Sequence, residues 1–218
     1  MNKLRLRFSK NGSAKFISHL DLMATMSRAL LRAGVKLKYS EGFNPHPHIS
    51  IALPLPVGCG SVCELMDFGT ENILLPDGLP EIINAVLPEG IEILEAYIPQ
   101  RKFCDIAWLG ISGLLYYDET TQFNTAEKLA ERFTATSIVI TKRTKRSIAD
   151  IDIVPFIRDV AFNGGYVVNL SAKVSAQNPS ISPDNLMSAL NDDYSYLAPD
   201  YSSFTRTEVF DDDMKVFR

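Results

Sequence analysis

The sequence predicts an α+β protein made of two packed ferredoxin-like (βαββαβ) modules, the second with an inserted hairpin. Over the first hundred residues, strand patterns of alternating apolar residues and helical patterns follow one another as β-α-β-β-α-β, which is the split βαβ order. The second half partly repeats this order, and no low-complexity linker separates the halves. We therefore expect an N-terminal module at 1–99 and a C-terminal module at 104–218 that pack together.

The first module opens with a strand in which basic and apolar residues alternate, so that Lys3, Arg5 and Arg7 are expected to form a cationic face. A helix follows, with Ser18 as its N-cap and Asp21 at its third position. Strands are then predicted at 49–55, 63–69 and 91–98, and a second helix at 76–87. The side chains predicted to share the core are Leu4, Leu6, Phe8, Leu20, Met23, Leu30 and Leu31.

The second module begins with a strand and a helix that Asn124 and Glu127 are expected to cap. A later helix starts at Ser182, which is followed by proline at the first helical position. The predicted strands are 106–117, 166–174 and 204–210, the inserted hairpin is 137–142 with 147–153, and the helices are 124–133, 155–160 and 182–190.

The bulk composition is typical of a soluble globular protein. The chain has 218 residues, 46% of them hydrophobic, and no apolar run is long enough to cross a bilayer. The N-terminus shows no signal-peptide pattern. The three cysteines form no disulfide framework and suit a reducing compartment. We expect a cytoplasmic protein that does not bind a membrane.

The charge is distributed unevenly along the chain. Residues 1–48 contain nine Lys/Arg side chains against Asp21 and Glu41, whereas the other 170 residues carry thirteen basic and twenty-four acidic side chains. This asymmetry favours a basic face that binds a polyanion such as RNA. The alternative is a solvated surface on which the charges scatter once the chain folds.

Two of the three histidines, His46 and His48, lie in the stretch 39–58, where glycine and prolines stiffen the backbone before a strand. The third is His19, at the predicted start of the first helix. A rigid loop that carries histidine is more typical of a site than of a connector. Imidazole is also suited to acid–base chemistry near neutral pH.

A metal site is the alternative use of these histidines, with Asp21, Cys59 or Cys63 as further ligands. The spacing matches no known ligand pattern, and no Gly-rich phosphate loop or nucleophile motif accompanies it. We therefore predict no bound metal and no cofactor.

The motifs RLRFSKNGSAKFISHLDLMATMSRALLRAG and YSEGFNPHPHISIALPLPVG resemble those of the radical-SAM-linked family, an uncharacterised bacterial domain family found beside or fused to radical SAM proteins. The resemblance extends over most of the chain. It implies a radical SAM partner and a role around RNA or the ribosome, and it supplies no catalytic residue. The family elements SHLD and GFNPHP correspond to 18–21 and 42–47, which makes His19 and His46 the pair of interest. No CxxxCxxC cluster motif is present in this chain.

We therefore expect an accessory module that binds RNA or a ribosome-related particle and acts with a radical SAM protein. One alternative is an RNA-processing or RNA-modifying enzyme that uses His19 and His46, and another is a purely protein-binding adaptor. The predicted RNA-binding residues are Arg5, Arg7, Lys15, Arg28, Arg32, Asn44, His46, Lys142, Arg143, Lys145 and Arg146.

Overall fold

The computed structural model describes residues 2–118, 124–143, 148–190 and 192–218. The chain divides into two compact units: the first runs to Asp105 and includes Arg218, and the second is Ile106–Phe217. The sequence-based boundary lies at 99–104. The expectation of a mixed α+β protein is confirmed, because most of the regular structure is β-sheet and the helices are few.

The described residues of the first unit form four strands and two α-helices. These are β1 (Asn2–Lys10), α1 (His19–Arg32), β2 (Ile49–Ile51), β3 (Gly60–Thr70), α2 (Leu79–Asn84) and β4 (Ile91–Tyr97). The strands have the order β4-β1-β3-β2 in the sheet, and every neighbouring pair is antiparallel.

Helix α1 is capped as the sequence predicts but is rotated relative to the predicted stripe. The side chain of Ser18 accepts a hydrogen bond from the backbone N–H of Asp21. The prediction was wrong at Leu20 and Leu31, which are 79% and 47% exposed. Both residues are leucines at plausible helical spacing, so the pattern fits two adjacent registers and only packing selects one. The buried residues are Leu22, Met26, Ala29 and Leu30, and Met23 packs partly against them.

Strand β1 is buried on one face and covered over part of the other. Leu4, Leu6 and Phe8 are buried in the core of the first unit, as predicted. The expected cationic face is wrong at Arg5, which is fully buried because Asp67 of β3 pairs with it and because Arg101 and Phe103, which follow β4, contact its guanidinium.

The described residues of the second unit form a four-stranded antiparallel sheet, a separate hairpin and two α-helices. The elements are β5 (Trp108–Tyr116), α3 (Thr125–Arg132), β6 (Val139–Arg143), β7 (Ile148–Asp152), β8 (Ile157–Gly164), β9 (Val167–Ser175), α4 (Pro183–Ser188) and β10 (Tyr201–Phe210). The sheet has the order β10-β5-β9-β8, and the hairpin strands β6 and β7 pair with each other.

The predicted short helix at 155–160 is wrong beyond Phe156, because a single 3-10 turn covers Val154–Phe156 and strand β8 begins at Ile157. The register between β8 and β9 shifts between Arg158 and Ala161, and Asp159 has a positive φ of 50°. This bulge breaks the two-residue period by which a strand is recognised in sequence. The helix caps differ as well: Ser182 forms a full capping box with Asn185, whereas Asn124 has no side-chain cap hydrogen bond.

No helix within the described ranges is long and apolar enough to span a bilayer.

Candidate functional site

The segment 36–48, which we call the cationic loop, lies at the end of the first sheet where β1 begins and β3 ends. Leu37 and Asn2 both pair with Thr70. The backbone N–H of Lys38 donates to the carbonyl of Gly69 at 2.9 Å. These bonds fix the base of the loop to the edge of the sheet.

The tip of the cationic loop is closed by hydrogen bonds across its neck. The N–H of Ser40 donates to the carbonyl of His46 at 2.9 Å, and the N–H of His46 donates to the hydroxyl of Ser40 at 3.1 Å. Below this neck, the N–H of His48 donates to the carbonyl of Lys38 at 2.8 Å. Gly42 at the tip has φ of 119°, a conformation that disfavours a side chain. These hydrogen bonds give the loop a defined backbone conformation, so the loop is preformed.

The cationic loop presents polar and aromatic groups to solvent. Phe43 at its tip is fully exposed, and Tyr39 is 38% exposed. Two acidic residues lie at the loop: Glu41 within it, and Glu71, whose backbone N–H donates to the carbonyl of Lys36 at 3.0 Å. The exposed side chains that can contact an anion or a base edge are Lys36, Lys38, Asn44, His46 and His48. Ammonium, imidazole and amide groups can donate to phosphate oxygens or base edges, and an exposed aromatic ring can stack on a base.

His19 lies at the opposite end of the first unit. The ammonium of Lys10, at the far end of β1, donates to the carbonyls of Lys15 and Ile17 at 3.2 and 3.3 Å, and His19 begins α1 two residues later. Strand β1 runs the nine residues from Asn2 to Lys10, and at about 3.3 Å per residue its ends are roughly 26 Å apart. The structure therefore does not bring His19 and His46 together, contrary to the expectation that one nucleotide would contact both.

Arg5 lies in a buried ion pair with Asp67 of β3. Its Nε and Nη2 donate to the two carboxylate oxygens at 2.6 and 3.0 Å. Nη2 also donates to the carbonyl of Arg101, and the guanidinium lies 4.3 Å from the ring centroid of Phe103. Burial raises the pKa of the nearby Tyr97 hydroxyl. Arg5 is thus enclosed by protein groups and is not positioned to contact RNA.

A small pocket of about 210 Å³ adjoins the cationic loop through His48. Its lining is more apolar than polar and includes Ile49 and Phe68 beside Lys3 and Asp67, whose side chains form an ion pair of 2.6 Å. The pocket therefore joins the loop to the first sheet without adding a strongly polar surface.

The other predicted cations of the first unit have varied surroundings. Arg7 is only 15% exposed and lies 3.7 Å from a glutamate of β4. The ammonium of Lys15 is 5.1 Å from the ring of the next residue. Arg32 donates to a backbone carbonyl just beyond α2 at 3.1 Å. Arg28 is exposed on α1.

The predicted basic cluster of the second unit is only partly described. Lys142 of β6 donates to the carbonyl of Ser180. Arg143 ends β6. Lys145 and Arg146, and the side chain of Arg143, lie outside the described residues.

Sequence reasoning placed Lys3 on the predicted cationic face, but it did not single out Lys36, Lys38 or Phe43 as candidate site residues. A signal was available for the two loop lysines, because they alternate with Val35 and the buried Leu37, as residues do in a strand that has one exposed face. Phe43 carries no such signal, since an aromatic residue is expected to be buried.

Among the residues whose placement is described, no three His, Cys, Asp or Glu side chains lie together in an arrangement that could hold a metal ion.

Comparison with solved structures gives similar chains of low sequence identity, among them the following two. One is from the crystal structure of a Cbf5-Nop10-Gar1 complex, with 12% identity, a TM-score of 0.49, and coverage of 94% of this chain and 48% of that chain. The chain thus spans about half the length of that relative. The other is an unknown protein from Galdieria sulphuraria, with 8% identity, a TM-score of 0.24, and coverage of 94% and 98%.

Comparison with curated proteins gives no match. A protein-family model matches residues 3–183, which is most of the chain. The chain therefore belongs to the family described as "Uncharacterized protein conserved in bacteria (DUF2344)".

Proposed function

We infer that this protein is an accessory module that binds RNA, or a ribosome-related particle, through the cationic loop and acts with a radical SAM protein. The observation that carries the RNA-binding part is the preformed loop on which Lys36, Lys38, His46 and His48 are all exposed. The radical SAM partner is supported by the resemblance of the N-terminal motifs, while the description of the matched family names neither partner nor activity.

The strand orders support a finer interpretation of the fold. Counted within each four-stranded sheet, both units have the order 4-1-3-2 with antiparallel neighbours, and the hairpin of β6 and β7 lies outside the second sheet. We interpret the units as two ferredoxin-like modules, the second with an inserted hairpin. No disulfide joins the three cysteines, all of which lie in the described part of the chain, and this is in keeping with a reducing cytoplasm.

The separation of His19 from His46 disfavours the enzyme alternative in the form that requires both imidazoles at one substrate. Acid–base partners must lie within hydrogen-bond reach of the same reacting group. Of these two histidines only His46 lies on the cationic loop, where it is exposed and suited to contact RNA.

The double substitution Lys36→Ala with Lys38→Ala is expected to weaken binding to fragmented total cellular RNA and to reduce its salt dependence. Each lost phosphate contact removes about 0.7 to 0.9 from the slope of log K against log salt. Fluorescence anisotropy of labelled RNA, titrated at low and at moderate salt, measures both quantities. The matched control is Lys102→Ala with Lys215→Ala, which removes the same charge at two exposed positions outside the loop.

Equal salt slopes for the two double variants would contradict the assignment of binding to the loop. Absence of binding by the wild-type protein even at low salt would refute the RNA proposal altogether. If the purified radical SAM protein were still bound in that case, the protein-adaptor alternative would replace it.

A further inference from the structure

We propose that the cationic loop selects unpaired nucleotides, with the ring of Phe43 as a stacking surface for one base of single-stranded RNA. This inference rests on the proposed function and adds the structural state of the RNA that the loop takes. The ring of Phe43 is not buried by the fold. A phenylalanine is among the residue types most often buried, yet Phe43 is fully exposed at the loop tip.

The loop fixes the ring of Phe43 in an exposed position, so that binding of a base costs little conformational entropy. The two hydrogen bonds between Ser40 and His46 close the neck on either side of the tip. Pro45 and Pro47 restrict the backbone just after Phe43, and Tyr39 pairs with Pro47 beneath the neck. A preformed aromatic platform loses little conformational entropy when a base stacks on it.

The surroundings of Phe43 favour a nucleotide over a protein partner. The adjoining tip residues Gly42, Asn44 and Pro45 provide no second large apolar side chain. A protein hot spot needs a surrounding ring of contacts that excludes water from its anchor residue. The other exposed side chains of the loop include the imidazoles of His46 and His48, the amide of Asn44, the ammonium groups of Lys36 and Lys38, and the carboxylate of Glu41. The donors among them suit a base edge and the phosphates on either side of it.

Stacking on an exposed ring requires a base that is not already paired within a helix. Sequence-specific and stacking recognition of RNA is directed mostly to single strands, loops and bulges, whose bases can be splayed outward. A duplex can contact the lysines through its phosphates but cannot offer a base face to Phe43. The loop should therefore prefer single-stranded to duplex RNA.

The test compares a twelve-nucleotide oligouridine with an RNA duplex of the same length, at low salt. Phe43→Ala is expected to weaken binding of the oligouridine about 5- to 100-fold, from the loss of one base–aromatic stack, and to leave duplex binding unchanged. Phe43→Trp retains binding, and the tryptophan emission at the loop is quenched when the base stacks. The wild type, whose single tryptophan is Trp108, gives the baseline for this quenching. Phe16→Ala, which removes another exposed phenylalanine ring, is the matched control and should bind as the wild type does.

The outcomes separate this inference from the proposed function. Unchanged oligouridine binding by Phe43→Ala, while the wild type binds both probes in a salt-dependent manner, overturns the stacking role and leaves the RNA-binding proposal standing. Binding of neither probe by the wild type overturns both. If Phe43→Ala binds both RNAs normally but no longer binds the purified radical SAM protein, the ring is a protein contact and the inference is wrong.

Discussion

Replacing Arg5 with leucine is expected to lower the free energy of unfolding by about 3–5 kcal/mol, because it leaves the buried Asp67 carboxylate without its main partner. In the folded protein two guanidinium nitrogens donate to that carboxylate, and both side chains are at most 3% exposed. A buried carboxylate that keeps only the half-exposed ammonium of Lys3 is destabilised far more than the loss of a surface contact would explain. Urea unfolding followed by far-UV circular dichroism measures the change.

Two further variants test whether the loss of stability comes from the Asp67 carboxylate that has lost its main partner. Lys3→Leu removes a second cation from Asp67, but the Lys3 side chain is 45% exposed, so the expected loss is about 1 kcal/mol or less. Arg5→Leu with Asp67→Leu removes both charges and should recover much of the stability, because apolar replacement of a buried ion pair is often neutral. An Arg5→Leu protein no less stable than Lys3→Leu would show that the pair is not buried as described. Any loss of RNA binding in an Arg5 variant is expected to follow from this instability.

Leu30→Ala is expected to cost about 2–5 kcal/mol of stability, since Leu30 is fully buried in the core of the first unit. Removal of its branched side chain leaves a cavity in the buried apolar cluster to which Leu30 belongs. Thermal melting or urea unfolding gives the magnitude.

Leu20→Ala is the matched control for this substitution. Leu20 lies on the same helix but is 79% exposed, so its truncation should change stability by about 0.5 kcal/mol or less. If the two substitutions had equal effects, the helix would have the register that the sequence pattern first indicated, with Leu20 in the core.

Local features of the chain were predictable from sequence where a few adjacent residues determine them. Ser18 caps α1 because its hydroxyl reaches an N–H three residues on, and this relation is visible in the sequence. The alternation of Leu4, Leu6 and Phe8 likewise showed which residues of β1 face the core. In contrast, Leu20 and Leu22 are both compatible with an amphipathic helix, and only the packed core decides between them.

The candidate site was less predictable because distant residues determine which charges are exposed. The alternation in β1 placed Arg5 opposite the apolar face, but nothing near it in sequence indicates that Asp67, 62 positions away, neutralises it. The GFNPHP element drew attention to the loop of His46. Lys36 and Lys38 were not selected, although they alternate with Val35 and Leu37, because their exposure also depends on the pairing of the loop with β3.

The strand orders of the two sheets also have a kinetic consequence. In each sheet the central pairing joins strands that are far apart in sequence, as between Arg5 and Asp67 in the first unit and between Ser112 and Ser171 in the second. The chain must close long loops before these ladders gain any hydrogen bonds, so their formation is slow compared with that of the helices or of the hairpin of β6 and β7. After dilution from urea, pulsed hydrogen exchange is expected to show the amides of α1 protected before those shared by β1 and β3. Until those central ladders form, the edges of the unpaired strands are open to pairing with other chains, which makes the refolding protein sensitive to its own concentration.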